Sequence, residues 1–146
     1  MTPPHASESS AQQAAELLII AAVAEYVSLD LAPARIDMGD GVHVQIDGAS
    51  ADRAVLVEAY AHVGPLRGAQ PKKLATDAFK LVWAGGRVAA SRLIIAVADV
   101  DTEAYLRRPS AWLTAALRDS EVEVVRVSID ATAHAHVVEA QKLQKR

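Results

Sequence analysis

From Val42 to Val63 the chain alternates between apolar and polar positions. Val42, Val44 and Ile46 are set against His43, Gln45 and Asp47, and after residues 48–53 Val55, Val57, Ala59, Ala61 and Val63 are set against Leu56, Glu58, Tyr60 and His62. A strand points successive side chains to opposite faces, so this period of two predicts two strands. His43, Gln45 and Asp47 then share one face of the first, and Glu58, Tyr60 and His62 one face of the second. Ahead of them, Ala11–Ser28 lacks Pro and Gly and is rich in Ala and Leu, which predicts a helix capped by Ser9 or Ser10. Its expected buried stripe is Leu17, Ile20, Ala21 and Ala24, widened by Leu18 and Val27, with Glu16 and Glu25 off it. Leu31–Ala34 reads as a linker because of Pro33, Arg35–Met38 as a short first strand, and Gly39-Asp40-Gly41 as a hairpin turn.

Beyond Val63 the period changes. Gly64–Gly68 breaks the strand, and Pro71 suits the first turn of a helix with Leu74, Ala78, Leu81 and Val82 as its apolar stripe and Gly85-Gly86 as its expected end. Lys73, Asp77 and Lys80 run along another side of that helix. The unbroken apolar run Leu93–Ala98 predicts a strand buried on both faces. Thr102–Asp119 reads as a helix capped by Asp101 or Thr102 with an interruption or kink at Pro109, Val122–Ile129 as a strand nearer an edge, and Asp130 or Thr132 as the start of a last helix. The expected order αβββαβαβα makes a mixed β-sheet with helices on its faces, an α/β fold. At 146 residues this is one domain over 11–146, behind a Pro- and Ser-containing tail at 1–10 expected to be disordered.

Composition narrows the chemistry. With no Cys, disulfides, thiolate zinc sites and a Cys nucleophile are excluded. A net charge of -3 gives no global basic signal for nucleic acid, so such contact would need a local basic patch. The apolar run Leu17–Ala24 falls short of the roughly 20 residues a membrane span requires, and residues 1–10 lack the basic start of an export signal. A soluble, cytoplasmic protein without a membrane partner is therefore expected.

Two carboxylates on neighbouring strands are the residue types that gather a hard divalent ion, since Mg²⁺ takes one or two protein carboxylates plus waters and substrate phosphate. Asp47 and Glu58 are the candidates. A cation from the next helix, Lys73 or Lys72, would complete a phosphodiester-cleaving set by polarising the water or the phosphate.

Ile46-Asp47-Gly48, Val57–Ala61 and Gly68–Lys73, together with the element order up to residue 98, resemble the PD-(D/E)xK nuclease superfamily. The resemblance implies a restriction-endonuclease-like core, Mg²⁺ (or Mn²⁺) as cofactor and nucleic acid, DNA favoured, as substrate. It makes Asp47 and Glu58 the metal ligands and matches Gln70 to a polar residue at the start of the helix. The family's Lys, two residues after the strand carboxylate, is Tyr60 here, and Lys73 is its expected counterpart on the helix. A Glu of the first helix joins the metal site in some members, which makes Glu16 and Glu25 candidates. Gln45, Tyr60, Lys72 and Lys80 are the expected substrate contacts.

Other readings compete residue by residue. Asp47 before Gly48 suits a turn, His43 and His62 suit surface or hydrogen-bonded roles, and His134 and His136 diverge on a helix and so do not pair on a metal. The rival for the whole chain is a catalytically decayed nuclease-like fold, acting as a nucleic-acid-binding or homo-oligomeric assembly module. A homodimer is compatible with either.

Overall fold

The computed structural model describes residues 4–144, with side chains over 10–143. Ten elements follow in order: α1 (Pro4–Val27), β1 (Ala32–Gly39), β2 (Val42–Ala49), β3 (Val55–Tyr60), α2 (Gln70–Val88), β4 (Arg92–Val97), α3 (Val100–Leu106), α4 (Trp112–Asp119), β5 (Val122–Arg126) and α5 (Ala131–Gln144). The five strands form one sheet in the order β1-β2-β3-β4-β5. β1, β2 and β3 pair antiparallel, while β3, β4 and β5 pair parallel. This is the expected mixed α/β arrangement, with β5 on an edge. Asp40 and Gly41 form a two-residue hairpin loop, both at positive φ (55° and 78°), as a type I′ turn requires.

β3 and β4 are buried on both sides, while β1 and β2 bury one face. Ala15, Ile19, Ile20 and Val23 of α1 and Val137 of α5 cover Val55, Val57, Ala59, Ile94 and Ala96. On the other face, Leu74, Ala78 and Leu81 of α2, with Leu106, Leu113 and Leu117 of α3 and α4, cover Ile46, Leu56, Tyr60, Ile95 and Val97. β4 thus alternates between two cores, as its unbroken apolar run implies. Gln141 of α5 pairs with the Val63 backbone in both directions (2.8 and 2.7 Å) and locks the chain after β3 to the last helix.

Several boundaries differ from the sequence reading. α1 begins at Pro4 rather than Ala11, and residues 1–3 lie outside the described residues. Its buried stripe is Ala15, Ile19, Ile20 and Val23, whereas Leu17 is 59% exposed. Between Leu17 and Ala24 the helix is apolar all round, so its pattern there does not fix which face turns inward. β1 absorbs the supposed linker, because Pro33 sits on the edge strand, where the missing N–H is tolerated. α2 runs through Gly85-Gly86 to Val88 and ends on Ala89 in the left-handed region (φ 55°). Gly85 is where α2 crosses β4: a Cβ there would lie 2.7 Å from Leu93 Cδ2. Pro109 separates two helices rather than kinking one. The cap of α3 is Asp99, whose carboxylate accepts from the amides of Asp101 and Thr102.

Candidate functional site

β2 and β3 stay in register only at Gly48↔Val57 and Ala49↔Leu56. The β1–β2 ladder slips between Ala32↔Ala49 and Ala34↔Ile46, so three steps along β2 face two along β1, a bulge at residues 47–48. At this bulge β2 parts from β3, and its residues from Asp47 back to Val42 make no ladder pair with that strand. Parted strands leave amides without ladder partners, and an unpaired buried amide is costly. Here the two carboxylates replace the ladder: Asp47 Oδ2 accepts from the Ala59 amide at 2.9 Å, and Glu58 Oε2 accepts from the Asp47 amide at 3.0 Å. Each acid is thereby anchored to the backbone by one oxygen; the second oxygen of Glu58 is buried and faces Lys80, and that of Asp47 makes no backbone bond.

Lys80 of α2 pairs with Glu58 Oε1. Two turns earlier on the helix, Lys73 Nζ lies 3.2 Å from Asp77 Oδ2 and 5.9 Å from the centre of the Tyr60 ring. Glu16 reaches this cluster from α1 and lines a hollow of about 240 Å³ with Gln13, Gln45 and Asp47. Burial first, then the Asp47 charge, pushes the Glu16 carboxyl up to about 7; Asp77 adds to the rise, and Lys73 and Lys80 oppose it. Glu58 is 2% exposed, and burial followed by the adjoining Asp47 raises its pKa, against the pull of Lys80. Burial also opposes the charge on Lys73, but Asp77, Glu16 and Asp47 outweigh it and hold the ammonium above the ordinary lysine value. Tyr60 is raised too, by burial and then by Asp77. Four acids, Glu16, Asp47, Glu58 and Asp77, therefore face two lysines, Lys73 and Lys80. The site therefore keeps its surplus carboxyls partly protonated near neutral pH, Glu16 and Glu58 both being raised.

The structure brings together Asp47, Glu58, Lys73, Lys80 and Tyr60, with Gln45 at the margin. It places Lys80 rather than Lys73 against Glu58. Lys72 is exposed. Gln70 is engaged at the start of α2, accepting from the Arg67 amide and meeting His62 Nδ1 at 3.0 Å. His62 Nε2 lies 3.1 Å from the Pro65 carbonyl, so that ring staples the β3–α2 loop. His43, His134 and His136 are exposed. Glu25 sits in a separate hollow with Ser28 and Asp30. Glu16, named with Glu25 as a candidate from the first helix, is the one of the two that reaches the cluster, and Asp77 is the member the sequence reading gave no role. Their signals were Glu16 standing one turn before Ile20, and Asp77 standing four residues after Lys73 and three before Lys80.

Among the described residues, no three His, Asp or Glu side chains already stand as a ligand set for a metal ion. No helix among them is long and apolar enough to cross a membrane. Comparison with protein-family models, with curated proteins and with solved structures finds no match to this chain.

Proposed function

We propose that the protein is a metal-dependent nuclease that hydrolyses phosphodiester bonds of nucleic acid, with DNA the favoured substrate. The observation that carries this reading is the reciprocal anchoring of Asp47 and Glu58 at the β2–β3 split, which orients two carboxylates and leaves one oxygen of each free of backbone bonds. Three antiparallel strands, then α2 and a parallel β4, support it as the order the PD-(D/E)xK resemblance implies. The donor set fits the cofactor: Asp47 and Glu58, with Glu16 beside them, offer hard oxygens suited to Mg²⁺ or Mn²⁺. When bound, the metal lowers the pKa of a water and stabilises charge on the attacked phosphate. The chain's own residues do the rest. Lys80 lies where it can hold the phosphate or orient the attacking water, and Lys73, kept charged by Asp77, adds a second cation toward the substrate. Tyr60 and the Asp47–Ala59 bond hold this wall of the site rigid.

The test is Asp47→Asn. Asparagine keeps an oxygen for the Ala59 amide but removes the charge, so the fold should survive while Mg²⁺- or Mn²⁺-dependent cleavage of labelled DNA and RNA drops roughly 100-fold or more. A wild-type chain that cleaves neither substrate with either ion, or an Asp47→Asn chain that cleaves as well as wild type, defeats the reading.

A specific pairing favours the rival, a decayed site acting as a binding module: Glu58 is already matched by Lys80, and Tyr60 stands in place of the family's strand lysine. Titration with Mn²⁺ separates the two. A rise in Tm at millimolar ion that Asp47→Asn abolishes supports the nuclease, and no rise supports the binding module.

A further inference from the structure

The flank of α2 opposite the acidic site carries a second feature. Lys73, Asp77 and Lys80 lie on one side of the helix; Ala75, Phe79 and Val82 lie on the other and face α4 across a groove of about 560 Å³. Two aromatic side chains project at this groove: Phe79 is 78% exposed and Trp112 is 75% exposed. Trp112 also walls an adjoining hollow that holds Arg108 and Arg118. Among the described residues, no acidic side chain lines either hollow. The Arg108 guanidinium stacks 3.9 Å from the centre of the Tyr105 ring, and Arg118 meets its exposed neighbour Asp119 at 3.3 Å. Lys72 stands one turn before Thr76 on the exposed ridge of α2, between the groove and the acidic site.

Flat aromatic faces beside exposed cations complement a chain of bases and phosphates. Proteins that hold single strands without sequence preference stack bases on aromatic side chains and track the backbone with Lys and Arg. A duplex hides its base faces and gains little from such a platform. A second copy of this chain laid on the same face is the poorer partner for the arginines, because among the described residues neither hollow offers them an acidic side chain in return. We infer that the α2–α4 groove binds single-stranded nucleic acid, bases stacking on Phe79 and Trp112 and phosphates meeting Arg108, Arg118 and Lys72. A strand leaving the groove over Lys72 crosses one helix, about 10 Å wide, to reach Asp47 and Glu58. Only this last step, delivery of the strand for cleavage, rests on the proposed nuclease reading.

The test is binding of the full chain, in EDTA so that no cleavage occurs, to fluorescein-labelled 12-mers of oligo-dT and oligo-U and to a duplex of equal length. The single strands should bind at least tenfold more tightly than the duplex and quench the Trp fluorescence. Phe79→Ala and Trp112→Ala should each weaken binding about fivefold or more. Arg108→Gln should flatten the salt dependence of binding, since it removes a phosphate contact. Both aromatics are exposed, so thermal melts of the variants should overlay wild type. Equal binding of single strand and duplex, or unaltered binding by both aromatic variants, overturns the inference. So does a dimer on analytical ultracentrifugation that Phe79→Ala or Trp112→Ala dissociates, because the groove then belongs to self-association. Binding measured without divalent ions is independent of Asp47, so failure here and failure of the nuclease reading are told apart.

Discussion

Replacing Lys80 by Met keeps a long apolar stem but strips Glu58 of its facing cation. A buried acid left alone is costly, and with Lys80 itself part-exposed the expected loss is about 2 kcal/mol at pH 8 by denaturant titration. At pH 5 the loss should shrink, because Glu58 then carries its proton. Asp47 allows a finer comparison. Asp47→Asn retains an acceptor for the Ala59 amide while Asp47→Ala orphans it, so the Ala variant should be less stable than the Asn variant by about 1–2 kcal/mol. Alternation singled out Glu58, because a carboxylate in mid-strand between apolar neighbours needs a reason, whereas Asp47 before Gly48 read equally as a turn residue and was picked out by metal chemistry and the family resemblance. How the pair meets was not legible: it depends on a bulge in β2, which no local residue pattern announces. Glu16 and Glu25 could not be told apart in the sequence, since the apolar run Leu17–Ala24 surrounds the helix and gives no clue to which edge abuts the sheet.

At the scale of elements, the paired glycines of α2 make opposite predictions. Gly86 is exposed, and a methyl group there would meet open space, so Gly86→Ala should stabilise the helix by about 0.5–1 kcal/mol. Gly85→Ala gains the same propensity but pushes on Leu93, and a net loss of about 1 kcal/mol is expected. Gly48 is a similar point of close approach: a Cβ would lie 2.9 and 3.0 Å from Ile20 Cδ1 and Cγ2, so Gly48→Ala should cost about 1–3 kcal/mol. Thermal melts of the three variants check the signs. These positions explain where the sequence misled. Gly85-Gly86 reads as a stop because local propensity says so, yet packing across β4 carries the helix through it. Element order, the Asp40-Gly41 turn and the doubly buried β4 were legible because each rests on a local pattern. The sheet's register and the inward face of α1 rest on distant partners.

Over the whole molecule, the acidic pocket ties stability to pH. A carboxyl whose pKa is higher in the folded than in the unfolded chain binds its proton more tightly when folded. Its stabilising effect is complete below 4.5 and is lost as the pH climbs through about 7 for Glu16, and Glu58 shifts in the same direction. Glu16→Gln should therefore match wild type near pH 4.5 and exceed it in Tm at pH 8, in metal-free buffer. Sheet connectivity has a mechanical consequence as well. The β1–β2 hairpin is fastened to the remaining strands by the short seam at residues 48–49 and the two carboxylate bonds beside it, and its far end is moored where Arg87 donates to the Met38 carbonyl. Cutting that mooring with Arg87→Ala should let the hairpin pivot about its seam like a jaw. Deuterium would then enter residues 33–46 as one block while β3 and β4 stay protected, and the gape between β2 and β3 would widen at the point where the two acids stand.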